Sequence, residues 1–398
     1  MLPMQMQAKS IIRSETVKTL QTVVNDDWLS PAVMRLRGDV LHVSFDELSH
    51  DSHRYVYRLE HCEFDWTPSE GLFESDWLEG FNDNPIDDYE SSLNTTVLYT
   101  HYRLQIPNER CRLKLSGNYL MHIVDEDTDE EVATVKFRVV EPLMNVGLSV
   151  TTNTDVDVNR SHQQVSMTVN FNGVRVTRPQ EEIKTLVIQN GREDNQKVDV
   201  APNYVLPDRL RWEHNNGLIF EAGNEYHKFE ILDVSHTTMG LDRLEWDGEN
   251  YQAYPFTNSR RNNYVYDEDA NGAFYVRNSD NVENDRTCEY VYVNYRLQPI
   301  RRYEGANIVV DGMWTNGDER QYIMKYDEQE QCYTARVLQK QGYYSYQYLL
   351  RDLDGTPHCL PEEGSFYQTE NRYQGLVYYK GIADRTWRLT GYQQVVFK

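Results

Sequence analysis

The chain has 398 residues, room for about two to four domains of ordinary size, and carries 63 acidic against 40 basic residues, a formal net charge of −23. A surface of that sign repels phosphate, which argues against a nucleic-acid partner and against an electrostatic hold on anionic lipid. No apolar run approaches the ~18 residues that a membrane-spanning helix needs, so direct membrane insertion through helices is not expected.

The first residues, MLPMQMQAKSIIRSETVKTL, lack the apolar stretch of a signal peptide. Residues 1 to about 35 read as an entry segment with turns at Asn25-Asp26-Asp27 and Ser30-Pro31; within it, 14–23 is the one stretch that could make a short amphipathic helix. Residues 40–45 (VLHVSF) form the next expected strand. The block 55–140 is the clearest part of the chain, because side chains on a strand alternate between faces. Over 98–106 the even positions Leu98, Thr100, Tyr102, Leu104 and Ile106 make a mostly apolar face, while His101, Arg103 and Gln105 suit water. Over 133–139, Ala133, Val135, Phe137 and Val139 face inward and Thr134, Lys136 and Arg138 outward. The acidic stretch 125–131 is an exposed turn. Half-buried antiparallel sheets of this kind pack face to face into sandwiches.

Pro142 marks a boundary, since proline cannot extend a ladder. In a second β unit, Val165, Met167, Val169 and Phe171 share a face, 183–188 is a strand, and Gln189-Asn190-Gly191-Arg192 is a tight turn. Residues 222–234 add a third strand, and 241–263 read as loop and linker. From about 284, Val291, Val293, Tyr295 and Leu297 share a face, with Tyr290, Tyr292 and Asn294 opposite. Short strands recur at 307–310, 321–326, 332–338, 343–351 and 375–379, as in an Ig-like sandwich. The expectation is an all-β chain of three consecutive antiparallel β-sandwich (Ig-like/E-set) units at 1–141, 142–283 and 284–398.

Motifs for catalysis are missing. The chain has no GxSxG, no HExxH and no GxxxxGK, and no cysteine sits beside a plausible catalytic histidine partner in sequence. His42, His101 and His122 sit in strands, where a structural role is expected. A carboxylate pair for glycoside hydrolysis cannot be chosen among so many acids, adjacent Glu362 and Glu363 included. Asp267-x-Asp269-x-Asn271-Gly272 imitates the first half of an EF-hand, but its twelfth position is Asn278. An Asn-Gly hairpin turn is the expected reading there, and no metal or other cofactor is assigned. Asp125-x-Asp127-x-Asp129 lacks the glycine. The five cysteines show no CxxC; Cys62 and Cys111 either face each other across strands or are buried free thiols. One aromatic group stands out: Tyr344 and Tyr346, with Tyr348, share a strand face near Trp314. Exposed, such rings would stack on sugars; buried, they are core.

Several stretches resemble one family, the plug proteins of the type IX secretion translocon of Bacteroidota. They include LEHCEFDWTPS (59–69), GFNDNPIDDYESSLNTT (80–96), YTHYRLQIPN (99–108), SGNYLMHIVDED (116–127) and FRVVE (137–141). GNEYHKFEI (223–231), YDEDANGAFYV (266–276) and LQKQGYYSYQYLL (338–350) follow in the same order. The tail from Asn307 is similar to E-set Ig-like modules related to glycogen-binding domains. The family resemblance implies a non-catalytic periplasmic protein, associated with the outer membrane, that closes the periplasmic mouth of the translocon barrel. The expected partner surface is the loop 81–89, with Phe81, Asn82, Asn84 and Tyr89 as candidate contacts, because loops held by a scaffold carry function. The E-set likeness motivates the alternative, a cell-envelope carbohydrate-binding protein using Trp314, Tyr344 and Tyr346.

Overall fold

Alternation at period two builds three sandwiches, in a computed structural model that describes residues 9–49 and 53–398. About 48% of the chain is strand, and the α-helical pieces among the described residues are single turns of four residues. In the first sandwich, Tyr55–Cys62, Gly117–Asp125 and Glu131–Val140 pair antiparallel in that order. The facing sheet runs Val17–Val24, Leu41–Glu47, Thr100–Ile106, Asp88–Ser91. Phe45, Tyr57, Tyr102, Tyr119 and Phe137 fill the space between them.

The expected helix at 14–23 is a strand. Val17, Leu20 and Val24 are buried at helix-like spacing, but the cause is a bulge: Thr19 has φ 52°, and the register against Leu41–Glu47 shifts between Lys18 and Gln21. An extra residue in one strand shifts the side chains that follow it to the other face, which turns period two into an apparent three and four.

The second and third sandwiches are nested. Ile183–Gln189 pairs with Asn371–Tyr379, which pairs with Arg388–Phe397, so the C-terminal strands close the second sandwich over its facing sheet of Asn145–Thr151, His162–Asn170 and Arg209–Trp212. The third sandwich is inserted between these halves. One sheet is organised on Gly342–Asp352; the other runs Leu241–Trp246, Tyr251–Pro255, Tyr290–Leu297, Cys332–Lys340, Lys325–Asp327. The consecutive division at 283/284 therefore cuts through it, separating Phe274–Val276 from its partner Gly342–Asp352. Residues 241–263, expected as linker, supply two of its strands. Their alternation is weak because Leu241–Trp246 is an edge strand with most side chains in water.

Faces expected to be wet are dry where sandwiches meet. His101 and Tyr290 are buried between the first and third. Arg138, on the outer face of Glu131–Val140, ion-pairs with Glu193 of the second at 2.5 Å. Beside it the Phe64 and Tyr378 rings meet edge to face at 5.0 Å, and the Tyr378 hydroxyl donates to Asn118.

Candidate partner-binding surface

The segment from Phe73 to Leu98 crosses the open side of the first sandwich. Leu78–Gly80 pairs with Cys111–Leu113, Asn84–Pro85 adds to the edge of Tyr55–Cys62, and Asp88–Ser91 forms the edge of the other sheet. Gly80 has φ 103°, and a Cβ there would lie 2.0 Å from the Arg110 carbonyl oxygen, so the backbone approach that aims the next residue outward requires glycine.

The four residues expected to contact a partner divide in two. Phe81 is 75% exposed and Tyr89 46%; the Tyr89 ring leans on Tyr102 at 5.5 Å. The two asparagines belong to the scaffold. Asn82 accepts from the Leu59 N–H at 2.7 Å and donates to the Leu59 carbonyl at 2.9 Å, mimicking a neighbouring strand on an open sheet edge. Asn84 is buried and donates to the Phe81 carbonyl at 2.7 Å. Three further exposed apolar residues share this segment, Phe73, Leu93 and Leu98. Leu98 was expected inside, but it precedes the start of the strand Thr100–Ile106. The surrounding charges are matched: Arg103 reaches Asp88 and Glu90 at 2.9 and 3.0 Å, and Arg110 reaches Asp87 at 2.5 Å.

The aromatic group of the alternative reading lies in the third core. Trp314, Tyr344 and Tyr346 are 7%, 2% and 2% exposed. Trp314 Nε1 donates to the Ser345 carbonyl, the Tyr344 hydroxyl to the Lys340 carbonyl and the Tyr346 hydroxyl to Asn258. Rings whose faces pack on Tyr295 and Phe229 have no face left for a sugar.

The ionisable clusters are likewise paired within the protein. Glu363 accepts from His227 at 3.0 Å, from Arg261 and from the Tyr348 N–H. Burial pushes its carboxyl up, and the charges of His227 and Arg261 more than reverse this, to about 2. Glu362 takes the Ile300 N–H and the Tyr303 hydroxyl. In the EF-hand-like stretch, Asp267 pairs with Lys228 at 2.6 Å, and Asp269 accepts from the Asn271 and Tyr226 N–H groups. Asn271 and Gly272 have φ 50° and 87°, so the Asn-Gly turn forms, though its arms do not pair as a hairpin. No group of three His, Cys, Asp or Glu side chains suited to a metal exists among the described residues. Cys62 and Cys111 are buried free thiols, and the Tyr57 hydroxyl meets Cys111 Sγ at 3.4 Å.

Comparison with known proteins adds to this geometry. Residues 17–141, the sandwich that carries the exposed segment, match the family model described as Type 9 secretion system plug protein 1st domain. The crystal structure of a hypothetical protein from Parabacteroides merdae is 35% identical, covering 98% of this chain and 99% of that one, with a TM-score of 0.94. The C-terminal domain of the antigen I/II-family protein AspA of Streptococcus pyogenes (8% identity, 96% of this chain and 99% of that one) has a TM-score of 0.17. Dimeric latent PorU from Porphyromonas gingivalis (9% identity, 96% of this chain and 33% of that one) has a TM-score of 0.15. No curated protein matches.

Proposed function

Because the chain belongs to the type IX secretion system plug protein family, we propose that it is a non-catalytic periplasmic subunit that docks on the periplasmic mouth of the outer-membrane translocon barrel and closes it. One observation carries the reading: the family match falls on the sandwich whose open side holds Phe81 and Tyr89 out into solvent. Apolar rings within a rim of matched charges suit a protein surface, where the buried centre supplies affinity and the rim sets orientation. A stack of β-sandwiches with interlocked interfaces is also mechanically suited to obstructing a wide pore. No helix among the described residues is long and apolar enough to cross a membrane.

The test is recovery of the detergent-solubilised translocon on the immobilised chain, set beside a Phe81→Ala, Tyr89→Ala double variant. Loss of the barrel from the variant, with its melting temperature within a few degrees of the parent, supports the reading. Failure of the parent chain to retain the barrel overturns it.

A further inference from the structure

From Ser91 to Leu98 no side chain is buried, and the backbone forms no regular structure beyond Ser91. A segment that buries so little has no order of its own to draw on. Yet it is held, and the grip comes from another sandwich. Glu289, buried just before the strand Tyr290–Leu297 of the third sandwich, takes the Thr96 N–H at 2.5 Å and the Thr96 hydroxyl at 2.8 Å on one oxygen, and the Val97 N–H at 3.2 Å on the other. The Leu93 N–H donates to the Arg286 carbonyl at 2.8 Å, and the Tyr99 hydroxyl to the Cys288 carbonyl at 2.8 Å. Arg286 reaches Glu90 at 3.5 Å, and Asp285 reaches Arg103 at 3.6 Å. Glu289 is itself fixed, its N–H donating to Gln341 Oε1 and its carbonyl accepting the Gln341 N–H, both at 2.8 Å.

Three donors from the segment, with the Tyr290 N–H as a fourth at 2.8 Å, make one buried carboxylate a strong clasp, because hydrogen bonds to a charged acceptor are about twice as strong as neutral ones. What the clasp presents is apolar: Leu93 and Leu98, 41% and 48% exposed, on the same segment of chain as Phe81 and Tyr89. We infer that the partner-binding surface extends to Leu93 and Leu98, and that Glu289 of the third sandwich is the positioning residue that holds this part of it ready. The inference rests on the reading that the open side of the first sandwich meets the translocon. Pre-ordering a loop before contact removes the entropic cost of ordering it on contact, so the third sandwich contributes to binding without touching the partner.

The experiment uses the full chain, with amide hydrogen exchange and translocon binding measured on the same preparations. In Glu289→Gln an amide NH₂ stands where one accepting oxygen was. Exchange of the 92–98 amides is expected to accelerate roughly tenfold or more while Gly117–Asp125 stays protected, and translocon affinity is expected to fall several-fold. Leu93→Ser with Leu98→Ser is expected to lower affinity without altering exchange. Unchanged exchange in Glu289→Gln overturns the positioning role. Unchanged affinity in the double serine variant, with Phe81→Ala still weakening binding, overturns the extended surface and leaves the docking reading intact. Loss of binding in none of these variants overturns the docking reading itself. If Glu289→Gln does not fold, Thr96→Val, which removes a single donor, takes its place: faster exchange over 92–98 supports the positioning role and unchanged exchange overturns it.

Discussion

Lys340 Nζ lies 2.7 Å from Asp46 Oδ2, and neither side chain is more than 1% exposed. The pair joins the third sandwich to the first. The second Asp46 oxygen accepts from His101 Nδ1 at 2.5 Å, the Tyr290 hydroxyl donates to Asp46 at 2.7 Å, and the ammonium also donates to the Asp285 carbonyl. Burial pushes the Asp46 carboxyl up, but the charges of Lys340 and His101 outweigh it and the net direction is down.

Removing Lys340 leaves the buried Asp46 carboxylate without its ammonium partner, held by His101 and Tyr290. Lys340→Met is therefore expected to destabilise the chain by about 3–5 kcal/mol, whereas Asp46→Asn with Lys340→Met, which removes both charges, is expected to be the more stable of the two variants. Denaturant unfolding of both variants measures this. Equal losses, or a single-variant loss below about 1 kcal/mol, would show that the pair contributes little to holding the sandwiches together.

The scaffold and surface roles within the loop separate by mutation. Asn82→Ala strips the edge of Tyr55–Cys62 of two hydrogen bonds and is expected to cost about 1–3 kcal/mol. Phe81→Ala, at a position in water, is expected to change stability by less than about 0.5 kcal/mol. A Phe81 variant as unstable as the Asn82 variant would make Phe81 part of the scaffold.

Nesting predicts an unusual response to truncation. Ending the chain at Thr369 removes Asn371–Tyr379 and Arg388–Phe397, two of the four strands in one sheet of the second sandwich, but no strand of the third. Amides of His162–Asn170 are then expected to lose protection while those of Tyr290–Leu297 keep theirs. The reverse pattern would contradict the observed pairing.

Most of the longer strands were legible, and with them the core faces: Val291, Val293, Tyr295 and Leu297, for example, are all buried on the face that alternation assigns them. What alternation cannot report is a second covering. His101 and Arg138 read as wet, and Tyr290 lies opposite the core face of its strand, yet another sandwich lies on each. Their polar atoms belong to the ion and hydrogen-bond networks between sandwiches, and those partners stand 55 to 294 residues away. Nesting was illegible for a related reason: 375–379 reads as a strand equally well whether it pairs with its neighbours in sequence or with Ile183–Gln189. Within the candidate surface, the loop 81–89 stood out as a loop held by a scaffold, and its Phe81 and Tyr89 are exposed while Asn82 and Asn84 serve the scaffold. Glu289 was missed because nothing in its neighbourhood distinguishes it from the other acids.

The pH dependence of stability is expected to carry two opposite limbs. Glu363, held at about 2 against an ordinary 4.5, stabilises the fold fully above about pH 4.5. That contribution is lost as pH falls toward 2, because the unfolded chain takes up the proton first. Asp269 behaves in the other sense. Burial, reinforced by the Glu225 carboxylate, pushes it up to about 7 from an ordinary 3.8, despite the N–H groups of Asn271 and Tyr226. The unfolded chain then ionises first as pH rises, so a contribution present below about pH 4 is lost between pH 4 and 7. The two limbs together place maximal stability on the acid side of neutrality. Asp269→Asn cannot ionise, and it is expected to flatten the loss between pH 5 and 8 by on the order of 1–3 kcal/mol. The comparison concerns slope, because the amide also gives up one acceptor to the Asn271 and Tyr226 N–H groups and so lowers stability at every pH. Denaturant midpoints of parent and variant at pH 5, 6, 7 and 8 test this, and parallel profiles would place the Asp269 proton outside that window.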